Sequence, residues 1–200
     1  LNNLVVTVKA VGAMGAGSGS ATVNGVTISN IMVDASGNVT ADIIASCTAT
    51  DPATFTLRVT DTPGEFNEQN LTINVTPNTP PTVGNYPATI VNLGSSGTVV
   101  TPDAAPTDNG TIASVTASAP GFTGSFVGNT TTGAVTVNNA APSGTYTVTV
   151  ITTDNCGATT QATFQLTVND PPTITGATIS RQQGSPALNS QIATVMDTED

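Results

Sequence analysis

The carboxylates and the two cysteines are the side chains of this sequence with the greatest chemical potential. The 200 residues include 13 Asp and Glu, three Lys and Arg and no His. Without His, neither a Ser-His-Asp triad nor a Cys-His pair can form. Two carboxylates would suit glycoside hydrolysis, but the absence of Trp and the presence of only two Tyr leave little surface for stacking on a sugar. The composition therefore predicts that the chain is not an enzyme.

The net charge of −10 bears on the partners of the chain. Polyanions such as nucleic acids and anionic membrane surfaces are bound through clusters of Lys and Arg. The three basic residues, Lys9, Arg58 and Arg181, are far apart in the sequence. No apolar run approaches the ~18 residues of a membrane-spanning helix. We therefore expect no nucleic-acid partner and no membrane insertion of this segment.

Acidic residues lie at three places that tandem domains would bring together. Asp170 ends one repeat, Asp197, Glu199 and Asp200 lie in the segment after it, and Asp61 lies in the turn of an earlier hairpin. Oxygen ligands of this kind suit Ca²⁺, which takes 6–8 of them. Asp is also a favoured turn residue, so solvated turns explain the same pattern. Both interpretations remain open: a Ca²⁺ site between adjoining copies, or turn residues alone.

Cys47 and Cys156 allow two interpretations as well. Each could be a small buried thiol. Aligning the repeated hairpins instead places Cys47 in the connection before one hairpin and Cys156 in the turn of the other. Those loops would face each other across a head-to-tail junction, which predicts a Cys47–Cys156 disulfide. A disulfide persists outside the cell, so extracellular localisation is expected.

Alternation of apolar and polar residues organises the rest of the chain. Residues 144–173 contain two alternating runs around an Asp-containing turn, followed by a Pro-Pro pair, and residues 53–82 contain the same order of features. Strict alternation is typical of strands with one buried face. The Pro-Pro pairs are 91 positions apart, the size of one β-sandwich domain. The sequence predicts an all-β fold of tandem immunoglobulin-like antiparallel β-sandwiches with Greek-key connections.

The repeat also predicts where the domains lie. Residues 1–79 form a sandwich without its first strands, residues 80–170 a complete sandwich, and residues 171–200 the opening strands of a further one. Pro171-Pro172-Thr173-Ile174 repeats Pro80-Pro81-Thr82-Val83. We expect residues 171–200 to have no partner strand within the chain and to complete domain 1–79 of the next copy. Five apolar residues are predicted to fill that domain's open core: Ile174, Ile179, Leu188, Ile192 and Val195.

The second repeat resembles a known class of repeats. The similar features are Thr132-Gly133 before a short Val strand, Ser143-Gly144-Thr145-Tyr146, Thr153-Asp154-Asn155 and a final strand ending in Asn169-Asp170-Pro171. They resemble the immunoglobulin-like and cadherin-like (hyalin-type) tandem repeats of giant bacterial surface proteins. The resemblance implies an extracellular array of β-sandwiches used in adhesion, stalks or matrix.

These observations predict a structural function. We expect a repeat unit of an extracellular filament or cell-surface stalk, assembled head to tail with copies of itself through strand complementation or continuation of the polypeptide. The alternative is a calcium-dependent adhesin module that binds a surface ligand through its loops. Apart from Ca²⁺, no cofactor is expected.

Overall fold

The structure is a computed structural model that describes residues 3–197. Those residues contain fifteen β-strands and no helix, and among them no helix is long and apolar enough to cross a membrane. The chain divides into two compact units, Leu1–Asn78 and Thr79–Asp200. The predicted all-β fold is confirmed.

Unit 1 contains two three-stranded antiparallel sheets. Its strands are β1 (Val5–Ala10), β2 (Ala21–Val23), β3 (Val26–Val33), β4 (Val39–Ala45), β5 (Ala53–Thr60) and β6 (Phe66–Ile73). One sheet has the order β1-β5-β6 and the other the order β2-β3-β4. Strand β3 runs from the Asn24–Gly25 turn to Val33, and its pairing with β4 has a register irregularity between Ser29 and Met32.

The Asn24–Gly25 turn explains how unit 1 brings β2 against β3. Both residues have positive φ, 49° and 77°, as a type I′ turn requires. The Asn24 side-chain amide donates to the Pro52 carbonyl at 2.8 Å. The turn is thereby tied to the start of β5 in the opposite sheet.

Unit 2 contains a four-stranded sheet and a three-stranded sheet. Its strands are β7 (Thr89–Asn92), β8 (Thr98–Val100), β9 (Ile112–Ser118), β10 (Ser125–Gly128), β11 (Val135–Asn138), β12 (Gly144–Asp154) and β13 (Thr159–Asn169). The sheets have the orders β7-β13-β12-β9 and β10-β11-β8. All pairs are antiparallel except β7 with β13.

Each unit has its own core. Inward-facing apolar residues of both sheets of unit 2 form a buried cluster that includes Val115, Val135, Val148 and Leu166. The cluster of unit 1 is smaller, with five buried residues among those described: Val8, Val26, Ile28, Ala53 and Phe55. Burial of this apolar surface is the main term that stabilises each sandwich.

The residues after β13 form a separate two-stranded sheet. Strand β14 (Thr173–Gly176) pairs antiparallel with β15 (Ala193–Met196). The sequence predicts strands without a partner here, and the structure shows instead that the two strands pair with each other. An isolated hairpin buries little apolar surface, and all described residues of β14 are exposed.

Candidate assembly site

The two units close their longest hairpins in the same way. In unit 1, the Asp61 carboxylate accepts from the backbone amides of Gly64 and Glu65, at 3.0 and 2.8 Å. In unit 2, the Asp154 carboxylate accepts from Cys156 and Ala158, both at 2.8 Å. Asx acceptors of this kind stabilise tight turns. The shared turn makes β5 and β6 the counterparts of β12 and β13.

A second shared turn makes β4 the counterpart of β11. The side-chain oxygen of Asp34 accepts from two backbone amides of the turn before β4, and that of Asn129 does so in the turn before β11. Hydrogen bonds from the side chain and backbone of Asn38 lower the pKa of Asp34. In each turn a Gly of positive φ, Gly37 or Gly133, lies two positions before the first Val of the strand.

The counterpart strands differ in what lies beside them. Strand β11 lies between β10 and β8, and its Val135 and Val137 are 0% exposed. Among the described residues β4 pairs with β3 alone, and all seven of its residues are exposed, Val39 by 46%. Strand β4 is therefore an open edge where unit 2 has β8.

The other sheet of unit 1 is open at the equivalent side. In unit 2, β13 pairs with β12 on one side and with β7, in parallel, on the other. In the described part of unit 1, β6 pairs with β5 alone. Unit 1 thus has no described counterpart of β7 or of β8. An exposed row of backbone amides and carbonyls is a template for an added strand.

An apolar groove of about 210 Å³ opens on unit 1 between these edges. Seven residues line it: Val6, Val39, Leu57, Val59, Asn67, Glu68 and Gln69. The valines and Leu57 belong to both sheets, so the groove is an unfilled part of the sandwich interior. The amides of Asn67 and Gln69 place hydrogen-bonding groups at its margin.

The five predicted assembly residues are solvent-exposed. Ile174 and Val195 are 72% and 70% exposed and face each other across the β14–β15 hairpin. Leu188 and Ile192 are exposed to a similar degree, and Ile179 is 39% exposed. The structure brings Ile174 and Val195 together and leaves Ile179, Leu188 and Ile192 outside the strands. Assembly itself stays a prediction.

The predicted calcium ligands are distributed as follows. Glu199 and Asp200 lie outside the described residues. Asp61 closes its own turn, and Asp170 and Asp197 lie at the two ends of the segment that contains the β14–β15 hairpin. Within residues 3–197 no group of three or more His, Cys, Asp or Glu side chains could hold a metal ion. Calcium binding between copies stays a prediction.

Both cysteines are oxidised. Cys47 follows β4 and Cys156 lies in the β12–β13 turn, and each is disulfide-bonded. The prediction of a disulfide is confirmed to that extent.

One charged cluster was not predicted from the sequence. Glu68 accepts from Lys9 at 2.8 Å and from Arg58 at 2.6 Å, and Arg58 lies 3.9 Å from the centre of the Phe66 ring. The bonds from Lys9 and Arg58 lower the pKa of the Glu68 carboxyl. Alternation places these residues on the outer faces of their strands, but only the register joins them.

Comparisons with known proteins concern the fold. No family model matches the chain, and no curated protein matches it. A protocadherin GammaB4 extracellular domain has 17% identity and a TM-score of 0.39 over 90% of this chain and 32% of that one. Drosophila N-cadherin EC1-4 has 17% identity and a TM-score of 0.37, over 82% and 41%.

Immunoglobulin repeats are among the similar structures as well. Sidekick-1 immunoglobulin domains 1–4 have 16% identity and a TM-score of 0.36, with 87% of this chain and 45% of that chain covered. The chain spans about a third to a half of the length of these three structures. A likeness at this identity concerns the β-sandwich fold alone. The bacterial and hyalin-type parts of the resemblance stay predictions.

Proposed function

We propose that this chain is a structural repeat unit of an extracellular filament or cell-surface stalk. Unit 1 is completed head to tail by opening strands of the kind found at residues 171–197, supplied by another copy or by continuation of the polypeptide. The proposal rests on one observation above all. Val135 and Val137 are fully buried beside β8, while every residue of the counterpart strand β4 is exposed.

The physical argument is the cost of an open edge. A strand edge exposes backbone groups that bind another strand readily, and natural proteins usually cover such edges or place charges on them. Of the seven residues of β4 only Asp42 carries a charge, whereas Val39, Ile43 and Ile44 are exposed apolar side chains. Strand addition would satisfy the backbone and bury these side chains.

The geometry of such an addition predicts an open polymer. The acceptor edges lie in unit 1 and the donor segment follows unit 2, so each copy offers two different surfaces. A heterologous contact of this kind extends into a filament unless its rotation closes a ring. Oxidised cysteines agree with an extracellular location.

Deletion of residues 171–200 tests the proposal. Sedimentation velocity over a range of concentrations and negative-stain microscopy would compare the intact chain with the truncated one. We expect the intact chain to form linear polymers and the truncated chain to remain monomeric. A truncated chain that still polymerises, or an intact chain that stays a compact monomer at every concentration, would refute the proposal.

A mixing experiment serves as the control. The truncated chain keeps its acceptor edges but has no donor, so it should cap one end of a growing polymer. We expect a small molar fraction of it to shorten the polymers of the intact chain. Unchanged polymer length would contradict the head-to-tail arrangement.

A further inference from the structure

The opening segment of unit 2 shows how a sandwich of this chain is covered. Thr82 and Thr107 exchange two backbone hydrogen bonds, at 2.8 and 3.2 Å, and the backbone amide of Asp103 donates to the Asn85 carbonyl at 2.9 Å. We call residues 81–86 and 102–107 the opening ribbon. Four of its side chains are buried and Val83 is half-buried against the core. The four are Pro81, Tyr86, Pro102 and Pro106.

Two contacts locate the ribbon on unit 2. The Thr160 hydroxyl of β13 donates to the Pro81 carbonyl at 2.5 Å. A Cβ added to Gly133, before β11, would lie 2.9 Å from Pro106 and 3.0 Å from Pro102. The ribbon therefore covers the turn-side part of the β12–β13 hairpin and the loop that leads into β11.

The same place on unit 1 is the apolar groove. Counted from the shared Asp turn, the pair Val59–Asn67 is the counterpart of Thr152–Thr160. Val59 and Asn67 line the groove, and so does Val39, the counterpart of Val135. The described part of unit 1 thus has a groove where unit 2 has its ribbon.

The β14–β15 hairpin repeats the backbone pairing of the ribbon. Thr82 follows Pro80–Pro81 and pairs with Thr107, and Thr173 follows Pro171–Pro172 and pairs with Met196. With these pairs matched, Ile174 takes the place of half-buried Val83 and Val195 takes the place of buried Pro106. The hairpin therefore has apolar residues at the two positions that face inward in the ribbon, but Ile174 and Val195 are both exposed.

We propose that the Ile174–Val195 face of the β14–β15 hairpin of a second copy docks in the groove of unit 1. Val195 lies against Gly37 and Val39, and Ile174 against Val6, Leu57 and Val59. The Asn67 amide donates to the Pro172 carbonyl of the docked hairpin, as Thr160 does to Pro81 in unit 2. This inference rests on the proposed function and names the contact face within it.

The test compares two double variants of the full chain that place the same charges on opposite faces of one hairpin. Ile174→Asp with Val195→Asp charges the proposed contact face. Thr175→Asp with Thr194→Asp charges the other face, because those residues pair with each other as well. Burial of two branched apolar side chains predicts that the first variant associates at least about 100-fold more weakly than the unmodified chain. The second variant should have an association constant within about threefold of that of the unmodified chain, because its charges lie on a solvent-exposed face.

Sedimentation velocity gives the association constants, and circular dichroism verifies the fold of each variant. Normal association of the Ile174/Val195 variant would overturn the inference, and so would equal weakening of both variants. The proposed function would survive either result, since the deletion and mixing experiments test it separately.

An acceptor variant provides the second measurement. Val39→Asp places a charge in the groove at a residue that is already half exposed. Mixed with the Ile174/Val195 variant, it supplies an intact hairpin to an intact groove. We expect a heterodimer that does not grow further, although neither variant associates alone. Absence of the heterodimer would overturn the inference.

Discussion

Individual carboxylates in this protein act first as turn acceptors. Asp34, Asp61 and Asp154 each accept backbone amides of their own turn. Hydrogen bonds to the ionised form stabilise it, which is why the pKa of Asp34 is lowered. The contribution of Asp34 to stability is therefore present above its unfolded-state pKa and decreases as the pH falls through the folded-state pKa.

Two threonines that face each other across β12 and β13 are expected to respond in opposite ways to loss of the hydroxyl. Thr152 is 0% exposed, and its hydroxyl has no hydrogen-bond partner within the described residues. Thr152→Val should stabilise unit 2 by about 1 kcal/mol, because an unsatisfied buried hydroxyl is removed. Urea denaturation, followed by the NMR signals of unit 2, measures the change.

Thr160→Val is the matched variant. The Thr160 hydroxyl donates to the Pro81 carbonyl, so removal of this hydroxyl should destabilise unit 2 by about 1 kcal/mol. If Thr152→Val destabilises unit 2 as Thr160→Val does, the assignment of the Thr152 hydroxyl as unsatisfied is wrong.

At the scale of elements, neighbours decide the burial of a strand more than its own residues do. Strands β4 and β11 begin with the same alternation after similar turns: Val39-Thr40-Ala41 in β4 and Val135-Thr136-Val137 in β11. Strand β4 is exposed, whereas Val135 and Val137 of β11 are buried. Of these two strands, only β11 has β8 beside it. The burial of such a strand therefore depends on what lies beside it and packs over it.

The Asn24–Gly25 turn has a steric requirement that can be tested. Gly25 has φ of 77°, and a Cβ there would lie 2.8 Å from Ala49 Cα and Ser46 Oγ. Gly25→Ala should destabilise unit 1 by about 2–4 kcal/mol, because the left-handed backbone and the crowding both oppose it. Urea denaturation followed by the NMR signals of unit 1 measures the loss.

Gly64→Ala separates the two causes. Gly64 also has positive φ, at 97°, but nothing lies within 4 Å of an added Cβ. Gly64→Ala should lower the stability of unit 1 by about 1–2 kcal/mol, which is the backbone contribution alone. Equal losses in the two variants would show that crowding at Gly25 has no effect.

At the scale of the whole molecule, the cysteines are the covalent constraint. Both are disulfide-bonded, and the sequence has only these two. We expect a Cys47–Cys156 bond within one chain, which closes a loop of roughly 110 residues and stabilises the folded state by about 4–5 kcal/mol in the chain-entropy model. Reduction should therefore lower the urea midpoint.

Peptide mapping under non-reducing conditions identifies the bond directly. The expected product is one cross-linked pair of peptides that contain Cys47 and Cys156, from a protein that migrates as a monomer in denaturing gels. A Cys47→Ser variant serves as the control, because its urea midpoint should not change on reduction. A disulfide-linked dimer or two free thiols would contradict the prediction.

The sequence alone was enough for the local structure. Period-2 alternation placed the hairpins of residues 53–82 and 144–173. These features depend on steric preferences of adjacent residues and on which face of a strand is apolar, so a single sequence carries them. The internal repeat also indicated that the two units are built alike.

Only the tertiary structure decided which strands are neighbours. It revealed the open edge at β4, the groove beside Val39 and Leu57, the pairing of β14 with β15 and the cluster around Glu68. Each of these joins residues far apart in the sequence, and alternation is the same whichever strand lies alongside. Burial and register therefore follow from long-range pairing, which local propensities do not specify.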